Sequence, residues 1–92
     1  MAVQRTDPHL AAEFGKRVRA AREALDLTQE QLSERLGSHR TFPGSIERGE
    51  VGPTLTSIVR IAHALGVDPG SLLANMRPTR PLGATRPTRT RR

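Results

Sequence analysis

The stretch from residue 28 to residue 49, TQEQLSERLGSHRTFPGSIERG, decides the fold class of this 92-residue chain. Its first half has the signals of a short helix. Thr28 and Gln31 have the spacing of a capping box, in which each side chain bonds a free backbone N–H at the start of a helix. Gly37 is suited to the left-handed conformation that ends such a helix. We therefore predict a helix that begins after Thr28 and ends before Gly37.

A second short helix is predicted from about residue 39 to about residue 48, where Gly49 ends it. Two short helices joined by a turn that contains glycine form the helix-turn-helix motif, whose second helix can enter the major groove of DNA. Pro43 and Gly44 disagree with a regular second helix. If His39 is the N-cap, the missing N–H of Pro43 deletes the first intrahelical hydrogen bond, and Gly44 lowers the helix propensity. We expect this helix to start late, near Gly44, or to have a distorted first turn.

The regions on either side of this motif also have the apolar periodicity of amphipathic helices, and each begins with a capping residue. The predicted limits are Asp7-Pro8 and residue 25 for the first helix, Thr54 and Gly66 for the fourth, and Asp68-Pro69 for the start of a short fifth. We therefore expect an all-α fold, a compact five-helix domain over residues 8–76, with the helix-turn-helix motif at residues 28–47.

The positive charge of the chain belongs to its C-terminal tail. The sequence has 15 Lys and Arg and nine Asp and Glu, which gives a net charge of +6. Residues 1–76 hold nine basic and nine acidic side chains, so the whole excess comes from the arginines of residues 77–92. This tail has little apolar surface to bury, so we expect it to be disordered. It could add phosphate contacts that are independent of DNA sequence, or have no function.

Several classes of protein are excluded by the composition. The chain has no cysteine, which excludes disulfides and thiolate metal sites, and its three histidines lack the spacing of metal ligands. No serine lies in a nucleophile motif. There is neither a secretory signal nor an apolar run long enough to cross a membrane. We therefore expect a cytoplasmic protein that is not an enzyme, with no catalytic residue, metal, cofactor or small-molecule substrate.

Three stretches between Phe14 and Leu73 resemble the lambda-repressor-like (Cro/repressor, or XRE) helix-turn-helix family. They read FGKRVRAAREALDLTQEQLSERLG, HRTFPGSIERGE and PTLTSIVRIAHALGVDP, and they have the order and spacing usual in that family. Within the family, HRTF-x-GSIERGE looks most like the controller proteins of bacterial restriction–modification systems. The resemblance implies a sequence-specific transcriptional regulator that acts as a homodimer on a palindromic operator in double-stranded DNA.

The resemblance also implies which residues contact DNA. Arg40, Thr41 and Ser45 match positions that face the major groove, where arginine can pair with guanine and hydroxyl groups can bond several base edges. The resemblance implies that phosphates are contacted by Thr28, Gln29, His39 and Arg48. For His39, a capping role at the start of the second helix of the motif is an equally open alternative.

Two further relationships follow from the resemblance. Arg22 and Glu47 match a pair that forms an internal salt bridge between the first and third helices. Leu72, Leu73 and Met76 lie in the region through which members of the family commonly form dimers. For these three residues, packing against the first helix of their own domain is the alternative.

Two other functions fit the same sequence. An antitoxin of a toxin–antitoxin pair would share the fold and the DNA binding, and it would need a surface for a toxin. A protein–protein adaptor would keep the fold without binding DNA. Pro43 and the absence of net charge in residues 1–76 are the features that keep the adaptor hypothesis open.

Overall fold

The computed structural model describes residues 6–78, and all regular secondary structure within that range is helical. The helices are α1 (Pro8–Ala24), α2 (Gln29–Leu36), α3 (Phe42–Glu47), α4 (Leu55–Leu65) and α5 (Pro69–Leu73). The predicted all-α, five-helix fold is thereby confirmed. Of the tail that the sequence predicts to be disordered, residues 79–92 lie outside the described residues.

The helix ends follow local capping signals. The Thr28 hydroxyl accepts a hydrogen bond from the backbone N–H of Gln31 at 3.0 Å, and the side chain of Gln31 accepts from the N–H of Thr28 at 2.8 Å. Asp7 and Thr54 cap α1 and α4 through side-chain oxygens that accept from backbone N–H groups of the first turn. Gly37 ends α2 with φ of +65°, a left-handed conformation that glycine adopts at little cost.

The helices share one apolar core. Its buried members are Phe14, Val18, Leu32, Leu36, Ile46, Ile61, Ala62, Leu65 and Leu72. Gly15 allows α1 to approach the end of α3 closely, because a Cβ at this position would clash with the carbonyl oxygens of Ile46 and Glu47. This approach fixes α3, whose two ends are flanked by residues of the candidate site, against the longest helix of the domain.

The start of α3 differs from the prediction that it lies near residue 39. Residues before Phe42 form a separate turn, in which the N–H of Phe42 donates to the carbonyl of His39 at 3.0 Å. Pro43 is therefore the second residue of α3, where a backbone N–H has no acceptor within the helix, so the proline removes no hydrogen bond. Its ring is fully buried. The helix does start late, although two residues before Gly44.

Two arginines join α2 and α4 at their C-terminal ends. Nη1 of Arg35, in α2, donates to the carbonyl of Ala64 at 2.9 Å, near the end of α4. Nη2 of Arg60, in α4, donates at 2.5 Å to the carbonyl of Leu36, which is the last residue of α2. Each guanidinium thus bonds a carbonyl at the negative end of the other helix dipole.

Candidate nucleic-acid interface

A groove runs between the start of α2 and α3. It is lined by Gln29, Glu30, Arg40, Thr41, Gly44 and Arg48. Four of these six, all except Glu30 and Gly44, are residues that the resemblance assigns to DNA contact. Thr28 is the N-cap of α2 at one end of the groove, whereas His39 and Ser45 are not among its lining residues.

Glu47 is held under this groove by two other residues. Nε and Nη2 of Arg22 donate to its two carboxylate oxygens at 2.6 and 3.0 Å, and Nε2 of Gln29 donates to Oε1 at 3.0 Å. The side chain of Glu47 is 3% exposed and that of Arg22 is 11% exposed. The hydrogen bond to Glu47 raises the pKa of Arg22 above its ordinary value. Both oxygens of the Glu47 carboxylate thus accept hydrogen bonds within the protein.

This arrangement joins four parts of the fold. Nη1 of Arg22 also donates to the carbonyl of Leu27 at 2.7 Å, in the loop between α1 and α2. Arg22 therefore ties the end of α1 to that loop and to the end of α3, while Gln29 ties the start of α2 to the same carboxylate. The contact of Gln29 with Glu47 was missed at the sequence level, because no local pattern joins residues 18 positions apart.

The turn before α3 is organised by His39. Its Nδ1 accepts from the backbone N–H of Thr41 at 3.2 Å and lies 2.8 Å from the Thr41 hydroxyl oxygen. Since a backbone N–H can only donate, this bond assigns the ring proton to Nε2. The Ser45 hydroxyl donates to the carbonyl of Thr41 at 3.1 Å. Arg40 is exposed, and its side chain has no hydrogen bond or ion pair with other residues of the 6–78 range.

Arg48 is paired with an acidic neighbour that the sequence analysis did not single out. Its Nε and Nη2 donate to the two carboxylate oxygens of Glu50 at 2.7 and 3.3 Å. This bond raises the pKa of Arg48 and lowers the pKa of Glu50. The tip of Arg48 also lies over Gly44: a Cβ built on Gly44 would be 2.9 Å from Nη1 of Arg48.

The three residues predicted for dimerisation differ in exposure. Leu72 is 3% exposed and belongs to the core of its own domain, and Met76 packs partly buried against that core. Leu73 is 39% exposed. Larger apolar exposure occurs on α4, where Leu55 and Val59 are 75% and 47% exposed one turn apart. Both belong to the apolar stripe of α4, and periodicity alone predicts that such a stripe lies in the core.

Residues 6–78 contain no cluster of three or more His, Cys, Asp and Glu side chains that could hold a metal ion. No helix in the same range is long and apolar enough to cross a membrane.

Comparison with known proteins agrees with this geometry. A helix-turn-helix family model, HTH_3, matches residues 18–72. Control protein C.SmaI of Serratia marcescens is 43% identical over 60 residues, which cover 65% of this chain and 71% of that protein. The restriction–modification controller protein C.AhdI of Aeromonas hydrophila aligns with a TM-score of 0.65 and 37% identity, over 67% of this chain and 94% of that chain.

A second structural relative was solved on DNA. The P22 c2 repressor, in complex with a synthetic operator, aligns with a TM-score of 0.62 and 28% identity, over 68% of this chain and 96% of that chain. The family match covers more than half of the 92 residues. The chain belongs to the helix-turn-helix family HTH_3, the XRE type of DNA-binding transcriptional regulators.

Proposed function

We propose that this protein acts in the cytoplasm as a homodimer that binds a palindromic operator in double-stranded DNA and controls a restriction–modification operon. The observation that carries the proposal is the groove between α2 and α3, which Gln29, Arg40, Thr41 and Arg48 line together. The similarity to C.SmaI and C.AhdI, a control protein and a restriction–modification controller, supports operon control over the antitoxin and adaptor alternatives.

The proposed base contacts come from the turn before α3 and from its first residues. Arg40 is exposed and unpaired within residues 6–78, so its guanidinium is available for the O6 and N7 atoms of guanine. Thr41 can present a methyl group to thymine. The Ser45 hydroxyl donates its proton to the backbone, and its oxygen remains an acceptor for a base amino group. The three residues together would read part of one half-site.

The proposed phosphate contacts flank this surface. Thr28 and Gln29 lie at the start of α2, where free N–H groups and the helix dipole favour an anion. Glu47 uses one N–H of the Gln29 amide, and the other remains for a phosphate oxygen. His39 has its Nδ1 occupied by Thr41, so its Nε2–H is the donor left for a phosphate. Its capping role and its proposed DNA contact are therefore compatible.

The proposed dimer would use exposed apolar residues of α4 and α5. Leu55, Val59 and Leu73 are the candidates, because Leu72 is already buried in its own domain. A two-fold dimer places two copies of the groove about 34 Å apart on one face of DNA, which is one helical turn. Such a spacing would explain a palindromic operator.

Arg40→Ala tests the proposal on a duplex that contains the DNA upstream of the gene. We expect this variant to lose about tenfold or more in affinity for that duplex. Arg19→Ala is the matched control, because it removes one positive charge from an exposed site of α1 outside the groove, and about twofold is expected. Wild-type protein that shows no sequence preference at low salt, or equal losses in both variants, would refute the proposal.

A further inference from the structure

Arg48 does not extend away from the candidate interface. It is the C-cap of α3, and Gly44 lies one helical turn before it. Nη1 of Arg48 is 2.9 Å, and Oε1 of Gln29 is 3.2 Å, from the point that a Cβ on Gly44 would occupy. The side chain of Arg48 is therefore folded back over α3 into the groove, and the missing side chain at residue 44 leaves the space for its tip.

Glu50 determines which edge of Arg48 remains available. The two carboxylate oxygens of Glu50 accept from Nε and Nη2, so that edge of the planar guanidinium is occupied. The edge formed by Nη1 and Nη2 keeps its donors, and Nη1 lies at the groove beside Gln29. Two parallel donors of this kind match the O6 and N7 acceptors of guanine, and they also match two oxygens of a phosphate.

The charge of Glu50 favours the base over the phosphate. A phosphate on the free edge of Arg48 would lie near the exposed carboxylate of Glu50, and the two anions would repel each other. Guanine carries no net charge, so its O6 and N7 acceptors meet a much weaker repulsion than a phosphate does. Since an exposed ion pair contributes little to folding, the main effect of Glu50 falls on what Arg48 can bind.

We propose that Glu50 is a specificity-determining positioning residue: it holds Arg48 across Gly44 so that Arg48 reads a guanine edge instead of binding a phosphate. This inference rests on the proposed DNA-binding function. It revises the role that the resemblance implies for Arg48, and it assigns a role to Glu50, which lies outside the motif at residues 28–47.

The experiment compares wild-type protein with Arg48→Ala, Glu50→Gln and Glu34→Gln. Glu34→Gln is the matched control, because Glu34 is exposed on α2 and lies outside the groove. This substitution changes the net charge by the same amount as Glu50→Gln. Wild-type protein first selects its preferred site from a randomised duplex pool. Dissociation constants are then measured for that site, for its single-base-pair variants and for an unrelated duplex, at several salt concentrations.

We expect Arg48→Ala to reduce the preference for one guanine by about fivefold or more, with the other positions unchanged. Glu50→Gln should reduce the preference for the same guanine by about threefold or more. It should also bind the unrelated duplex more tightly, with a salt slope steeper by about 0.9, because the released arginine gains a phosphate contact. Glu34→Gln should keep the guanine preference.

Two results would overturn the inference. One is that Arg48→Ala weakens every duplex equally and makes the salt slope shallower by about 0.9, as expected of a phosphate contact. The other is that Glu50→Gln behaves like Glu34→Gln. A wild-type protein that selects no sequence would instead refute the proposed function, so the two failures are distinguishable. Gly44→Ala gives an independent check: its Cβ displaces the tip of Arg48, and the same guanine preference should fall.

Discussion

Arg22 and Glu47 form a two-point ion pair, with Nε–Oε2 and Nη2–Oε1 distances of 2.6 and 3.0 Å, although 25 positions separate them in the sequence. The pair lies beneath the groove and joins α1 to the end of α3. A third bond, from Gln29, ties the start of α2 to the same carboxylate. One carboxylate therefore links α1, α2 and α3, and it adds to the apolar core in setting the relative placement of α2 and α3, which defines the candidate interface.

Arg22→Ala is expected to lower the free energy of unfolding by about 3 kcal/mol or more, because it leaves the nearly buried Glu47 carboxylate without its main partner. Urea unfolding followed by circular dichroism measures this. Arg19→Ala is the control for the loss of one charge on α1, and a change within about 0.5 kcal/mol is expected there. Equal stability of Arg22→Ala and wild-type protein would show that the pair contributes nothing to the fold.

Substitution by alanine is expected to change the stability of the protein in opposite directions at two helical glycines. Gly15→Ala should destabilise the protein by about 2 kcal/mol or more, because its Cβ meets the backbone of α3, which cannot move aside. Gly44→Ala should stabilise it by up to about 1 kcal/mol, because its Cβ meets only the flexible ends of two side chains and alanine favours the helix. Thermal unfolding of both variants tests the contrast, and a shift of the same sign in both would contradict it.

Pro43→Ala is expected to destabilise the protein by about 1 kcal/mol, through lost burial and greater freedom of the unfolded chain. Because Pro43 interrupts the helix predicted from residue 39, the sequence alone predicts tighter binding or higher stability for Pro43→Ile. The structure leads us to expect a loss of stability instead, because the proline is the second residue of α3 and its ring fits a buried site. The melting temperatures of Pro43→Ala and Pro43→Ile test these expectations. A higher melting temperature in either variant would indicate that the proline strains the start of α3.

The apolar residues of α4 provide a test of dimerisation. Leu55→Asp with Val59→Asp should give a monomer, because both side chains are exposed in one protomer and a two-fold interface would bring their charges together. Light scattering coupled to gel filtration measures the mass. Leu25→Asp, at a residue 45% exposed at the end of α1, is the control and should leave the mass unchanged. A double variant with the mass of wild-type protein would exclude this surface.

Arg60→Met is expected to cost about 1 kcal/mol of unfolding free energy, because the last carbonyl of α2 loses its donor while the apolar stem of the side chain is retained. Arg35→Met should have a similar effect on α4. Chemical denaturation of the single and double variants measures both effects. Full stability in the double variant would show that water replaces these bonds without cost.

Local chemistry made most helix limits predictable. Thr28 and Gly37 begin and end α2 through contacts and backbone angles within their own turn, so the limits of α2 could be inferred from the sequence alone. The start of α3 could not, because it depends on the burial of the Pro43 ring and on the bond between His39 and Thr41.

The candidate site was predictable only in part. A resemblance to related proteins indicated Arg40, Thr41 and Arg48, which do line one groove. The pairing of Arg48 with Glu50 was not predicted. Opposite charges two positions apart are common on exposed loops, and the sequence does not show which way their side chains point. The exposure of Leu55 and Val59 was missed because periodicity marks an apolar stripe without showing how much of it the fold covers.

The reciprocal hydrogen bonds of Arg35 and Arg60 between α2 and α4 have a consequence for the dynamics of the domain. Because the C-terminal carbonyls of each helix are bonded by the other, the opening of either helix removes a cap from both. We therefore expect the two helices to open as one cooperative unit, with amide protons that exchange with solvent together. The arginine bonds that join α2 and α4 do not include the turn from His39 to Thr41, so we expect this turn to adjust to a bound duplex while α2 and α4 stay closed.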